Sequence, residues 1–392
     1  MLPLSQSILQ IPGFEIESIS DVDPLIIQCR FNGPVQCIHC LSSDLRIKDT
    51  FYRWLKHESL GLRRTWLYLR THKYHCRNCS HYFNDRFPGI LPYKRSTEAF
   101  RKEVFIKHQD GICQKTLSSR LHIGAATVER WYQSFLSLKL SRSVNKPCPR
   151  ILGIDEHFFT RKQGYATTFC DLKHHKVYDV ALGRSEPSLR PFLERLMDKS
   201  KVKVIVIDLS ETYRSIVRKY FPMAKIVTDR FHVVRLINHH FLKTWRLFHP
   251  EGHKNRGLLS LMRRNAERLD PLQAQRLGRY FSEYPGLAEL WNFRNRLLTL
   301  MKLKMVNHDY AKGLIPVFLK MITHLRESPW EPMQTLGKTL QSWDQEIVRM
   351  WRFSKSNGIT EGFHNKMETI SRRAYGFRNF ENYRLRVRTL CG

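Results

Sequence analysis

Two short cysteine pairs, Cys37-Ile38-His39-Cys40 and Cys76-Arg77-Asn78-Cys79, restrict this chain more than any other feature. A two-residue spacer lets both thiolates of a pair face one ion, and zinc takes four such ligands in a tetrahedron. Residues 41–75 separate the pairs, a length that suits a β-hairpin folding back to close the shell. Within that stretch Thr65-Trp66-Leu67-Tyr68-Leu69-Arg70 alternates with period two, as a half-exposed strand does. The spacing therefore predicts one structural Zn2+ held by Cys37, Cys40, Cys76 and Cys79, since a full thiolate shell leaves no position open for substrate. His39, His75 and His81 lie close enough in sequence for a mixed Cys/His shell, with four Cys the simpler set. The other five of the nine cysteines are scattered, which does not read as a disulfide framework.

Charge narrows the partner. The 392 residues carry 66 Lys+Arg against 35 Asp+Glu, a net of +31. A folded surface of that sign attracts polyanions, and nucleic acid is the common one. An anionic membrane surface would call for a basic amphipathic helix with a Trp/Phe/Leu face, and none stands out. With 42% apolar residues a wholly disordered chain is excluded, and the length predicts two to four domains. No run long enough to span a bilayer occurs, and the first residues lack the basic start and apolar block of a secretory signal.

Residues 94–150 carry 12 Lys+Arg against 4 Asp+Glu and have helical spacing. Leu117 and Leu121 lie one turn apart, Gly124 follows in a short connection, and Val128, Trp131, Tyr132 and Phe135 form one face of a second helix. This is the pattern of a helix-turn-helix, whose second helix enters the major groove. Thr127, Glu129 and Arg130 are its candidate base readers; an ordinary helical hairpin is the plainer alternative. Residues 143–150, with two prolines, read as a linker. Short β-type runs begin at 151, separated by helical spacing at 186–199 and 211–220, and residues 231–350 read as mostly helical.

Two of those β runs deliver an acid: Ile151-Leu152-Gly153-Ile154-Asp155 and Val204-Ile205-Val206-Ile207-Asp208. A lone buried carboxylate is costly, so acids at such places need a metal, a base or a salt bridge. A third, Glu361, sits in Ser356-Asn357-Gly358-Ile359-Thr360-Glu361-Gly362-Phe363-His364. Asn357 or Thr360 is placed to cap a helix here. On that helix Glu361, His364, Asn365, Glu368 and Arg372 share a polar face. Three carboxylates brought together repel, and divalent cations offset the repulsion.

In this order, the zinc knuckles, helix-turn-helix, GIDEH, VIDLS, DRFHVV, a long helical stretch and SNGITEGFHNKMETISRRAYGFRNF together resemble the DDE-type transposases of bacterial insertion sequences, specifically the ISL-three family. The resemblance covers essentially the whole chain. It implies a multidomain α+β protein: a four-Cys zinc module over 1–92, a helix-turn-helix domain over 93–145, and a ribonuclease H-like α/β catalytic domain over 150–392 with a helical insertion at about 233–350. It implies Asp155, Asp208 and Glu361 as a catalytic triad holding two Mg2+ ions, with Mn2+ as a substitute. Asp229, His232 and His364 would be auxiliary, and Arg372 and Arg373 would face DNA phosphates. The implied function is binding of terminal inverted repeats, then metal-dependent DNA cleavage and strand transfer, by at least a dimer in the active complex. The implied setting is the bacterial cytoplasm, at the nucleoid. Two alternatives stay open: a nuclease or resolvase on the same core that cuts without joining, and a DNA-binding regulator with an inactive catalytic domain.

Overall fold

The structure is a computed structural model that describes residues 9–20, 22–141, 146–353 and 358–392, with backbone only over 358–361. Of the expected linker, residues 143–145 lie outside the described residues, and 146–149 form no regular element. The chain divides into two compact units, 1–139 and 140–392.

The first unit is built on a sheet of β1 (Phe14–Ser20), β2 (Leu25–Phe31), β3 (Leu45–Leu60), β4 (Arg63–Cys76) and β5 (Tyr82–Asn84). The strands run in the order β1-β2-β4-β3, with β5 added on β4. β3 and β4 form the hairpin expected between the cysteine pairs, and Gly61 turns it at φ +65°, a conformation that favours glycine. Leu55, Leu67 and Leu69 alternate onto one sheet face, where they pack with Ile27, Phe87 and Ile90. Helices α1 (Glu98–Gln109), α2 (Gln114–Leu121) and α3 (Ala125–Ser141) follow. Phe100, Val104, Leu117, Leu121 and Val128 form their shared core. His122 ends α2 in the left-handed conformation at φ +49°, so α2 and α3 are joined by three residues only.

The second unit is built on a five-stranded sheet: β6 (Ile151–Thr160), β7 (Gly164–Asp171), β8 (Lys176–Leu182), β9 (Val204–Ile207) and β10 (Lys225–Thr228). The spatial order is β10-β9-β6-β7-β8. β6, β7 and β8 are antiparallel neighbours, whereas β9 pairs parallel with β6 and β10 parallel with β9. All four residues of β9 are buried, as a central parallel strand covered on both faces requires. The crossovers are α4 (Glu186–Arg195) before β9 and α5 (Glu211–Tyr220) before β10.

Mostly helical structure follows, from α6 (Arg230–Phe248) through α7 (Pro250–Lys254), α8 (Arg256–Arg263), α9 (Pro271–Glu283), α10 (Pro285–Lys302), α11 (His308–Arg326) and α12 (Glu331–Ser342) to α13 (Asp344–Arg352). Trp245, Trp343 and Trp351 are fully buried in this part. α14 (Gly358–Arg373) and α15 (Phe380–Cys391) return to the sheet. Arg384 forks onto Asp179 of β8 through Nε–Oδ1 and Nη2–Oδ2 contacts of 2.7 Å each, fixing α15 there. α14 begins at Gly358, so Thr360 is a helical position rather than the cap the sequence suggested, and Asn357 lies outside the described residues. Among the described residues no helix is long and apolar enough to cross a membrane.

Candidate active site and metal centre

The sheet of the second unit brings three acids to one level: Asp155 midway along β6, and Asp208 and Asp229 just past the ends of β9 and β10. β9 pairs with β6 through Ile151↔Val204, Leu152↔Ile205 and Gly153↔Val206. Continued by two residues, that register sets Asp155 opposite Asp208. β10 pairs with β9 through Thr228↔Ile207, and the next residues in line are Asp229 and Asp208. The Asp229 N–H donates to Ile207 O at 2.6 Å, extending the ladder by one step. Parallel neighbours are about 4.8 Å apart, so three carboxylates stand abreast at the carboxyl edge. The edge lies where the strand order reverses between β6 and β9, the position at which open α/β sheets form a crevice.

Burial pushes the Asp155 carboxyl up to about 7; the Glu156 N–H pulls against this, while the charges of Asp208, Asp229 and Glu156 add to the rise. Burial likewise pushes Asp208 up to about 6, with His232 pulling it down and Glu156 and Asp229 pushing it up. Asp208 Oδ1 is buried with no hydrogen-bond partner among the described residues. Asp229, 2% exposed, caps α6 by accepting from the Phe231 N–H at 3.4 Å, and His232 Nε2 lies 3.7 Å from its Oδ2.

Helix α14 reaches this edge through His364, whose Nδ1 lies 4.0 Å from Asp155 Oδ2 and whose Nε2 lies 3.3 Å from Thr168 Oγ1. Thr168 Oγ1 is also 2.9 Å from His157 Nδ1, and His157 Nε2 is 2.9 Å from Tyr383 Oη. Burial holds both imidazoles in the neutral form, pushing His364 down to about 4 and His157 to about 3. Glu361 sits on α14 one turn before His364; its side chain lies outside the described residues. Arg372 and Arg373 are exposed in the last turn of α14, with Arg372 2.7 Å from Glu368.

Sequence reasoning missed Arg230, His157, Thr168 and Tyr383. Arg230 donates to Met301 O at 2.6 Å and Met350 O at 3.2 Å, and also to Leu303 O. It thereby clamps the ends of α10 and α13, the latter preceding α14. Its only sequence signal is its place beside Asp229. His157 is flagged only by following Asp155 at the spacing of two that keeps it on the same strand face.

In the first unit the hairpin register Leu45↔Cys76 returns the second cysteine pair to the first. Cys37 Sγ lies 3.6 Å from Cys79 Sγ, and Cys40 Sγ 3.5 Å from Cys76 Sγ. A tetrahedron with Zn–S of about 2.3 Å has edges of about 3.8 Å, so the four sulfurs fit one zinc ion. The two knuckles repeat one fold: Leu41 N donates to Cys37 O and Ser80 N to Cys76 O, with Leu41 and Ser80 both at positive φ. The Ser42 backbone pulls the Cys40 thiol down to about 6, toward the thiolate that binds metal. His39 and His81 stack on one another at 5.4 Å between ring centroids. Among the described residues this is the only place where three or more His, Cys, Asp or Glu ligand atoms lie within 4.8 Å of one another; the carboxylate edge is more open.

Of the candidate base readers, Arg130 is exposed on the second turn of α3 and Thr127 half-buried on its first. Glu129 accepts from Gln114 and from Gln133 Nε2 at 2.7 Å, which ties α2 to α3.

A transposase for insertion sequence element IS1001 from Bordetella parapertussis is 24% identical over 376 residues, spanning 90% of this chain and 87% of that protein. An ATP-dependent protease from Lactococcus lactis subsp. lactis is 39% identical over 57 residues, only 14% of this chain and 18% of that protein. The model of the ISL3 family of DDE transposases, described as "Transposase", matches residues 152–387, which contain Asp155, Asp208, Asp229 and α14. The match takes in well over half of the chain, and the protein belongs to the ISL3 family of transposases.

Proposed function

We propose that the chain binds the terminal inverted repeats of its own insertion sequence and cuts and joins DNA at the carboxylate edge. The observation that carries this is the level placement of Asp155, Asp208 and Asp229, with helix α14 docked on Asp155 through His364. The order β8-β7-β6-β9-β10, three antiparallel strands followed by two parallel ones, supports a ribonuclease H-like core in the region 150–392.

The family implies a divalent metal, and the edge suits one: carboxylates whose charges raise one another, and a buried Asp208 oxygen with no hydrogen-bond partner among the described residues. Asp155, Asp208 and Glu361 would hold two Mg2+ ions or their Mn2+ substitutes. Bound there, they would activate water or a 3′-hydroxyl and stabilise the leaving oxygen of a phosphodiester. The chain's own contribution is placement. β6 fixes Asp155 within a rigid strand and β9 fixes Asp208 just past its end, while Tyr383, His157 and Thr168 hold the His364 ring and with it the helix that carries Glu361. Arg372 and Arg373 offer exposed cations to the DNA backbone.

End recognition falls to the first unit in this reading. The four cysteines, holding one Zn2+, fix a module over 1–92, and α2 and α3 serve as the helix-turn-helix of a domain over 93–145. Thr127 and Arg130 are the side chains offered to the major groove, and Glu129 braces the helix pair. Work on two ends calls for at least a dimer in the active complex, at the bacterial nucleoid.

The test is a strand-transfer assay with Mg2+, using a duplex that carries the element's own end and a separate target. Joined product is expected. Cleavage without joining would mark a nuclease or resolvase, and binding alone a regulator; either result overturns the proposal.

A further inference from the structure

The outer face of the first unit's sheet carries a row of aromatic rings that the core does not use. Cross-strand neighbours Trp54↔Tyr68 and Lys56↔Trp66 lie on the face opposite Leu55, Leu67 and Leu69. Tyr52 stacks on Tyr68 at 4.5 Å and 10° between planes, Tyr68 meets Trp54 at 4.6 Å, and Trp54 stands edge-on to Trp66 at 6.2 Å. Trp54 is 48% exposed and Tyr52 41%, a large apolar area to leave in water. Beside the row is an open cavity of about 850 Å³, walled by Trp54, Trp66 and Ile26 and rimmed by Arg53, Lys56 and Arg95. No carboxylate among the described residues lines it. The Lys56 ammonium sits 5.4 Å from the Trp66 ring centroid and donates to the carbonyls of Leu121, at 3.0 Å, and His122, in the turn that leads into α3. The cavity and the start of α3 therefore adjoin on this unit.

We propose that the cleft between Trp54 and Trp66 takes bases of an unpaired DNA strand, with Arg53, Lys56 and Arg95 facing its phosphates. The proposal rests on the reading of the chain as a DNA-binding transposase and adds a second, single-strand site to it. Two features select this occupant. Three cations without a lining acid fit a polyanion. The exposed rings of Trp54 and Tyr52 fit bases whose own faces are free, which paired bases inside a duplex are not. A strand unpaired at an element end bound by α3 would find the cleft next to the turn before that helix.

The test uses the full zinc-loaded chain and fluorescence anisotropy with a labelled oligo(dT), against a blunt duplex of equal length. Trp54→Ala is expected to weaken oligo(dT) binding on the order of tenfold, the scale of one lost base–aromatic stack, while duplex binding stays near that of the unaltered chain. Arg95→Glu, on an exposed loop residue, is expected to act in the same direction and carries the test should Trp54→Ala lose zinc or fold. Oligo(dT) binding unchanged in the well-folded variants, or oligo(dT) bound no better than poly-glutamate of equal charge, overturns the proposal and leaves the duplex reading intact. A chain that binds neither oligo(dT) nor duplex overturns both.

Discussion

Asp155 and Asp208 stand level on adjacent parallel segments, 53 positions apart in sequence, because Gly153 pairs with Val206 and each acid follows two residues on, Asp208 just past the end of β9. Burial drives both well above the ordinary carboxylate range, and at Asp208 the pull of His232 only partly offsets it. Such crowding is stored strain, tolerated where function needs it. Asp208→Asn keeps the size and the strand but removes the charge. DNA cleavage should fall to background, while binding of the element end should change by no more than about twofold, the ~0.5 kcal/mol of a neutral substitution. Gel-shift and cleavage assays on one preparation check this. Lost binding in a folded protein would count against the role given to Asp208.

The four sulfurs predict one zinc per chain. Cys76 carries the second knuckle at the end of β4 and is fully buried, so Cys76→Ser removes a ligand where no other group can replace it. Zinc content should drop well below one per chain, and the first unit should lose cooperative unfolding, since structural zinc supplies folding free energy directly. Metal analysis with thermal denaturation decides the matter. A variant that melts as the unaltered chain does would show that the sulfurs do not hold the fold through a shared ion.

Arg230, next in sequence to Asp229, ties helices of the second unit together. Its guanidinium satisfies carbonyls at the ends of α10 and α13, and burial makes any orphaned group there costly. Arg230→Ala should destabilise by about 2–4 kcal/mol. Arg230→Lys should recover only part of that, because an ammonium cannot fork across carbonyls on separate helices. Denaturant midpoints for the two variants give the comparison, and equal midpoints would refute the clamp.

What the sequence revealed and what it hid follow from how local each signal is. Both cysteine pairs, the α2–α3 turn and the apolar runs ending in Asp155 and Asp208 are encoded within a few residues, and each is where spacing puts it. Asp229 joins the acid edge only through the pairing of β10 with β9, a non-local fact no window can hold. The Arg230 clamp spans 71 to 120 residues, and the His157–Tyr383 contact spans 226. Thr360 misleads for the opposite reason: threonine is a good cap in isolation, but α14 already begins two residues earlier, at Gly358.

A further test concerns acid stability of the first unit. His57 is 1% exposed in β3, with Nδ1 3.0 Å from Thr97 Oγ1, and burial pushes its pKa down to about 4. An imidazole in the unfolded chain protonates near 6.5, so between pH 6.5 and 4 the unfolded state binds a proton that the folded state refuses. Stability must then fall as pH drops through that window, by an amount on the order of 3 kcal/mol for a shift of this size. His57→Gln does not titrate, so its midpoint should fall less over the same window. Glu58 and Glu103 also face this site and are present in both proteins, so the difference between the two curves isolates the imidazole. Chemical denaturation from pH 7 to 4.5 reads it directly, and parallel curves would show that His57 is protonated in the folded protein after all.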